Sequence, residues 1–420
     1  MVARSVQIAI AAVLGCLVFV RRLWRRQLPW RERVAAAAGA GLVAFATRLG
    51  ATFIKVGQIA STRADLLPPA LVGELAQLRD QVPPFPFETA RATIERELGR
   101  PLAAVFSSFD PVPIAAASVA QVHRAVLRGS NEVVAVKVRR PDILEKARLD
   151  RGILLAIGRT LERLAPSLRL VSLAEALATF CDAVEAQIDL SNEARNNVRF
   201  TREFAADPDI RFPRLVPALC SEGLLVMEYV EGVREEDLER QGLDVHRIVE
   251  AGMRCVCRMV FSHGFVHADL HPGNLRFTPP SRIVLLDLGL VGEIGDQDRL
   301  TAVQLFYALA TGDGATVARL FYDNAPHHAV RDYAAYEREI VAYCDSIRAR
   351  GLDQMQVTVE IGRVFDILRR HHVQARSHMT MVNLALMTAE GLGKRLAPEL
   401  SLTRASLPYL IEALGTPVAS

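Results

Sequence analysis

The strongest constraint on the fold is where β-type runs fall relative to helical ones. From Pro101 the helical spacing of apolar residues gives way to short runs rich in β-branched residues. QVHRAVLR, the turn letters GSN and EVVAVKVR predict two strands around a tight turn, which places Lys137 on a strand. After Pro141 the spacing is helical again to about Phe204, and FPRLVPALC with GLLVMEYV predicts a second strand pair, broken by Glu231 and Gly232. Residues 244–263 read as helix, GFVHADLHPGNLRF as loop then strand, IVLLDLGL as a short buried strand, and almost everything after it as helix. This order predicts an α+β chain in which a small sheet with helices is joined by a linker to a mostly helical lobe.

A chain of 420 residues, 50% hydrophobic and 23% charged, can bury a large core, and this composition excludes a disordered, collagenous or disulfide-framework protein. Fifty cations against 47 acids leave a net charge of +3, too slight to favour nucleic acid as a partner. Only Lys55, Lys137, Lys146 and Lys394 are lysines, so a site that keeps one where arginine is the rule is a candidate for chemistry. The six cysteines show no CxxC spacing and read as reduced, buried thiols.

Residues 5–20 carry no charge and are followed at once by RRLWRR. The run is short of the ~20 residues that comfortably span a bilayer, and its charges follow the apolar stretch, opposite to a signal peptide. Arg21 to Arg26 with Trp24 and Trp30 therefore predict a membrane-associated segment, either a short anchor or an in-plane helix, with the bulk of the chain cytoplasmic. Residues 34–48, rich in Ala and Gly, predict a packed soluble helix.

The chemistry is carried by HADLHPGN, His267 to Asn274, and by the DLG at Asp287 beyond the next strand. Phosphoryl transfer needs positioning and charge neutralisation: magnesium takes oxygen ligands, and a nucleophilic hydroxyl or water takes an orienting carboxylate. An Asp five residues before an Asn, then a strand and Asp-x-Gly, is the protein-kinase arrangement, with Asp269 as base or positioner and Asn274 and Asp287 as metal ligands. VAVK puts Lys137 where a strand lysine holds nucleotide phosphates, and Glu193 on the following helix is its natural ion-pair partner. His267 and His271 are expected to orient the loop rather than to bind a hard cation.

These residues resemble the UbiB family of atypical kinases, also called ADCK or AarF, over roughly residues 50–395. The specific marks are KVGQIASTRADLLPP, similar to that family's KxGQ motif through Lys55, Gly57 and Gln58; AAASVAQVH, similar to its alanine-rich loop; and the HPGN ending of the catalytic loop. The resemblance implies a two-lobed protein-kinase-like fold, with a small β-rich N-lobe, a mostly helical C-lobe and a helical N-terminal extension over the active site. It divides the chain into a membrane-associating segment 1–30, an extension 31–100, an N-lobe 101–232 with a helical insert, and a C-lobe 233–420. It implies ATP, with ADP as an alternative, and Mg²⁺ as cofactors. Nucleotide would meet Ala115, Ala116, Ala117, Ser118, Val119, Ala120, Lys137, Glu228 and Val230, while Lys55 and Gln58 would face Gln187 and Asp189 in autoinhibitory contacts.

The further implications are a role in ubiquinone or related isoprenoid-quinone production, a small-molecule or lipid-like substrate, a membrane surface, expected to be a bacterial inner one, and quinone-biosynthesis enzymes as partners. A protein substrate and nucleic acid are not expected. The readings from another class are a pseudokinase scaffold or lipid-extracting chaperone, and a soluble phosphotransferase of the antibiotic or choline type, which KVGQ and AAASVAQVH disfavour. The sequence departs from the family at Gln187, where the ExD motif has an acid, and at Ala120, where many members have glycine. Alanine restricts the backbone freedom that a glycine loop uses to approach phosphate, so the loop should hold nucleotide differently from GxGxxG. Glu390 and Gly391 match a family feature that a helix stop at Gly391 explains equally well.

Overall fold

The computed structural model describes residues 2–24, 29–61, 67–78, 83–164, 173–350, 357–400 and 402–415. Arg25 and Arg26 of the basic flank, and residues 62–66 of the KVGQ stretch, lie outside the described residues. The chain divides into two compact units: residues 1–195 with 214–229, and residues 196–213 with 230–420.

The first unit opens with helices α1 (Val2–Leu23), α2 (Trp30–Leu49), α3 (Ala51–Ser61) and α4 (Pro69–Leu75). α1 and α2 cross at Gly15 and Gly41, where a Cβ on either would lie 2.9 or 2.8 Å from the other's carbonyl oxygen. Only glycine permits that approach, and Ala11 is buried beside it. On α1 the side chains of Ile10, Val13, Leu14, Leu17 and Val20 are exposed, an apolar stripe at three- and four-residue spacing. No helix among the described residues is long and apolar enough to cross a membrane. α2, the packed helix expected from 34–48, buries Ala37, Gly39, Ala40, Gly41 and Ala46.

Next come α5 (Phe87–Leu98), α6 (Leu102–Val105), β1 (Phe106–Phe109), β2 (Ala115–Ala116), β3 (Ala120–Leu127) and β4 (Val133–Arg139), followed by α7 (Ile143–Leu164), α8 (Leu173–Ile188) and α9 (Leu190–Glu203). Pro86 starts α5 and Gly99, at φ 65°, ends it. The predicted hairpin forms: β3 and β4 pair antiparallel from Ala120 opposite Arg139 to Val126 opposite Val133. β5 (Ile210–Arg211) belongs to the second unit, and β6 (Leu224–Glu228) completes the first unit's sheet in the order β1-β3-β4-β6 with β2 on β3.

FPRLVPALC is not the strand its letters predict. It touches β6 through a single bridge, Leu215 to Met227, and then turns as a 3₁₀ segment, Pro217–Leu219. Pro213 and Pro217 have no N–H to give a ladder, so the segment lies along β6 without becoming its partner strand.

The second unit contains α10 (Val245–Cys257), β7 (Phe265–His267), β8 (Leu275–Thr278), β9 (Arg282–Leu285), β10 (Val291–Glu293), α11 (Asp296–Thr311), α12 (Gly314–Asp323), α13 (Tyr333–Arg350), α14 (Val357–Arg370), α15 (Ser377–Leu396) and α16 (Leu402–Gly415). Asp244 caps α10 by accepting from the Arg247 amide, and a π-helical turn, Arg258–His263, follows the helix. β8 and β9 form a hairpin with β5 parallel on the outer edge of β9, and β7 pairs with β10.

One core gathers apolar residues of α10 to α16; another packs Phe200, Phe212, Phe265, Phe277 and Leu288. Leu288 is fully buried, as expected for the residue after the DLG aspartate. Arg254 donates to the buried carboxylate of Asp207 at 2.9 Å and to Asp209 at 2.9 Å, tying α10 to the segment before β5. Gly391 does not stop α15, which runs on to Leu396 with Glu390 buried and paired to Lys394 at 3.4 Å.

Candidate active site

In the first unit the candidate residues start on β4. Lys137 lies between Val122 of β3 and Leu225 of β6, so its strand is paired on both edges. Its Nζ donates to both carboxylate oxygens of Glu193, at 2.9 and 2.7 Å, and the two side chains are only 9% and 4% exposed. Glu193 sits in the first turn of α9, where the helix N-terminus favours an anion. The acid is therefore buried rather than part of a solvated helix face. A buried pair of this kind is weak evidence of stability, because desolvation offsets much of the attraction, but removing one member is strongly destabilising.

The alanine-rich segment makes a tight turn between β2 and β3. Ala117 N–H donates to the Ala120 carbonyl at 2.8 Å, Ala115 pairs with Val122 and Ala116 with Gln121, and Ser118 and Val119 are buried. None of residues 115–120 has positive φ, so this turn does not need the left-handed freedom that a glycine would supply. Arg140 fastens it from outside: its N–H donates to Val119 O at 2.8 Å and its Nε to Ala117 O at 2.8 Å. Glu228 ends β6 opposite Val134. The first unit ends at Tyr229, so Val230 begins the second.

In the second unit the acidic residues are organised by His267, which is almost wholly buried at the end of β7. Its Nδ1 accepts the Asp269 N–H at 3.0 Å, which leaves Nε2–H to donate to the Asp287 carbonyl at 2.5 Å. Burial holds the ring below the usual histidine range, opposed by the neighbouring Asp269 carboxylate and the bond to Asp287, so the neutral tautomer suits both bonds. One imidazole thus ties the catalytic-loop backbone to the DLG backbone.

Asn274 gives its Nδ2 to the Asp269 carbonyl at 3.0 Å, so its Oδ1 is the atom presented for a ligand. Asp287 Oδ1 accepts from Gly289 N–H at 3.0 Å, and Asn196 Nδ2 donates to the Leu288 carbonyl at 2.9 Å. Asp269 is 40% exposed, with His271 Nε2 3.9 Å from its carboxylate. The amide of Asn274 and the carboxylate of Asp287 are hard oxygen donors, the set that magnesium takes.

Comparison with known proteins matches the ABC1 atypical kinase-like domain over residues 77–321 and the UbiB helical domain over residues 340–401. The probable protein kinase UbiB of Erwinia tasmaniensis is 32% identical over 398 residues, 93% of this chain and 73% of that protein. Its counterpart in Sodalis glossinidius is 33% identical over 403 residues, with the same coverage. The chain belongs to the UbiB family of atypical kinase-like proteins. The fold is that of the protein-kinase-like proteins: a Mycobacterium tuberculosis protein solved in complex with erythromycin superposes with a TM-score of 0.52 at 19% identity, over 82% of this chain and 90% of that one.

For a UbiB-family chain the KxGQ and ExD residues matter next. α3, which carries Lys55 and Gln58, packs against α7 and α8 in the first unit. Gln58 Nε2 donates to Leu78 O at 3.1 Å, across from Gly57, whose missing side chain leaves room for Leu78. Gln187 is buried near the end of α8, and among the described residues its Nε2 has no hydrogen-bond partner. Asp189 caps α9 by accepting from the Ser191 N–H at 2.9 Å.

Four organising residues were missed from the sequence. Arg140, Asn196 and the Gln121–His123 pair all act on backbone carbonyls or on one another, so no spacing rule reveals them. Gln121 accepts from Phe85 N–H at 3.0 Å and donates to His123 Nε2 at 2.8 Å, while His123 Nδ1 bonds Asp110 O at 2.8 Å. The only available hint was that both sit in AAASVAQVH. The buried thiols are not candidates: burial raises Cys181 and Cys344 to about 11 and Cys257 to about 12, far from the nucleophilic thiolate, while Cys16 is exposed on α1.

Proposed function

We propose that this UbiB-family protein is a nucleotide-dependent ATPase or small-molecule or lipid kinase that supports ubiquinone or related isoprenoid-quinone synthesis at a membrane surface. The observation that carries the reading is the buried, doubly hydrogen-bonded Lys137–Glu193 pair, which preserves the lysine geometry that phosphoryl-transfer proteins use to hold nucleotide phosphates. In this reading Asn274 Oδ1 and Asp287 hold Mg²⁺, which supplies charge neutralisation when bound. Asp269 orients the attacking hydroxyl or water, and Ala115 to Ala120, Glu228 and Val230 line the nucleotide. His267 keeps the Asp269 and Asp287 backbones in register. Lys55 and Gln58 are assigned to autoinhibitory contacts with Gln187 and Asp189. Because Gln187 cannot be an anion, Asp189 would supply the charge, and the grip of that segment would be looser than in members with an acid there.

The exposed apolar stripe of α1, with the exposed Trp24 and the basic residues Arg21 and Arg22 at its C-terminal end, supports the in-plane form of membrane attachment. Thermal shift with ATP should show Mg²⁺-dependent stabilisation of the wild type that Asp287→Asn loses. Phosphate release with added detergent or lipid should exceed that of Asp269→Asn; equality of the two would favour the pseudokinase scaffold. Leu17→Glu should reduce membrane pelleting, and unchanged pelleting refutes attachment through α1. The quinone role is tested by measuring quinone and its precursors in a deletion strain.

A further inference from the structure

Residues 83–86 read Pro-Pro-Phe-Pro, so Phe85 carries the only N–H in the stretch. That amide donates to Gln121 Oε1 at 3.0 Å, and the Phe85 carbonyl accepts from Gln121 Nε2 at 3.4 Å. One side chain of β3 therefore holds both polar backbone groups of one residue. Arg140 adds a bond from Nη2 to Pro83 O at 2.7 Å, and its guanidinium lies 5.3 Å from the centre of the Phe85 ring. These contacts strap the segment that enters α5 to the first unit's sheet.

The strap fixes the charge state of a neighbour. A backbone N–H must face the amide oxygen, so Gln121 turns its NH₂ towards His123, whose Nε2 lies 2.8 Å away. That nitrogen is then the acceptor, which leaves the ring proton on Nδ1, donated to Asp110 O at 2.8 Å. Gln121 and His123 are both buried, so water does not replace a bond that either loses. The ring lies between Phe109 of β1 and Phe87 of α5, at 5.2 and 6.0 Å between centroids, and His123 stands opposite Val136 of β4. Among the described residues Asp110 is the charged group that acts on the ring, while Arg124, next on the strand, lies over Tyr229.

A proton taken from solvent adds at Nε2, where the new N–H points at the Gln121 NH₂. Two donors then face each other. Turning the Gln121 amide over gives the ring an acceptor, but it sets NH₂ against the Phe85 N–H and oxygen against the Phe85 carbonyl, so both bonds to Phe85 are lost. We propose that Gln121 and His123 form a proton-sensitive latch, closed on residues 83–86 while His123 is neutral and open when the ring is charged. No single amide orientation satisfies Phe85 and a charged His123 together, so the element has two states. Gln121 also stands opposite Ala116, at the edge of the alanine-rich turn that Arg140 fastens. A consequence for nucleotide rests on the reading of that turn given above; the latch itself does not.

The test uses the full chain without nucleotide. Hydrogen exchange at the Phe85 amide is followed at pH about 7.5 and about 5.5, corrected for the intrinsic pH dependence of exchange, with β4 and β6 as the control for global unfolding. With the released ring titrating at its ordinary 6.5, opening at Phe85 should grow by up to about tenfold over this range while β4 and β6 keep their protection. His123→Gln can accept from Gln121 and donate to Asp110 O but takes no proton, so its Phe85 protection should be the same at both pH values. Nitrogen NMR of the wild-type His123 ring needs no variant and should show the Nδ1–H form at the higher pH. Gln121→Glu, which accepts but does not donate, should favour the charged ring and raise the His123 pKa above that of the wild type.

The latch is overturned if wild-type Phe85 protection does not change with pH, if β4 and β6 lose protection to the same extent, if His123→Gln keeps the wild-type change, if Gln121→Glu leaves the His123 pKa where it was, or if the Nε2–H form dominates at the higher pH. Nucleotide is absent from every arm, so such a failure leaves the nucleotide reading standing.

Discussion

The two units carry their chemical groups in opposite states. In the first, Lys137 and Glu193 neutralise each other in a buried site, on a strand paired at both edges. In the second, Asp269 is 40% exposed and Asn274 and Asp287 are half-buried, while the rigid member is a neutral histidine beneath them. The difference teaches where pre-organisation is placed. Lys137 is fixed by its own counter-ion, whereas Asp269 is partly exposed and its backbone and that of Asp287 are joined through His267. Partial exposure of these residues avoids burying unpaired negative charge.

The contrast is broken or sharpened by four measurements. Lys137→Met leaves Glu193 buried without its partner and should lower stability by about 3–5 kcal/mol in chemical unfolding. A loss below about 1 kcal/mol would mean that the pair is not the buried anchor described. Pairing it with Glu193→Gln should recover part of the loss, since no lone charge then remains.

His267→Asn removes one ring that makes two backbone bonds, and should lower stability by about 1–3 kcal/mol. It should also weaken Mg²⁺-linked stabilisation by ATP, although it deletes no proposed ligand.

The third measurement uses His123, which burial holds below its ordinary value of 6.5 against the opposing bond to Asp110 O. The folded state therefore refuses a proton that the unfolded chain accepts. Its contribution is complete above pH 6.5 and is lost as pH falls below it, so the melting temperature should drop towards pH about 5.5. His123→Gln should flatten that limb. An unchanged acid limb would show that another group sets it.

The smallest effect belongs to the exposed acid. Asp269→Asn should change stability by no more than about 0.5 kcal/mol while abolishing any phosphate release above background. A large loss of stability would erase the distinction between the two units.

How far the letters went differs from one element to the next. The β3–β4 hairpin was legible because alternation, a turn tripeptide and the strand letters agree on one register. FPRLVPALC was not, because its apolar letters suggest a strand while two prolines withhold the ladder donors. Gly391 reads as a stop, yet α15 passes through it, since packing of the surrounding helix overrides the propensity of one residue. The KVGQ, HPGN and DLG motifs were legible as letters at fixed spacing, which is how the chemistry of a loop is written in a chain. Arg140, Asn196 and Gln121 were not, because a side chain that binds a distant carbonyl leaves no local period.

By itself, then, the sequence determined the order of sheet and helix, the family and the residue types available for phosphate and cation, because periodicity and motif spacing act over short stretches of chain. The tertiary structure alone decided that Glu193 is buried against Lys137 rather than solvated, that His267 is neutral and joins two loops, and that Arg140 fastens the alanine-rich turn. These depend on residues tens of positions apart meeting in space, where desolvation and pairing set the charge state of each group.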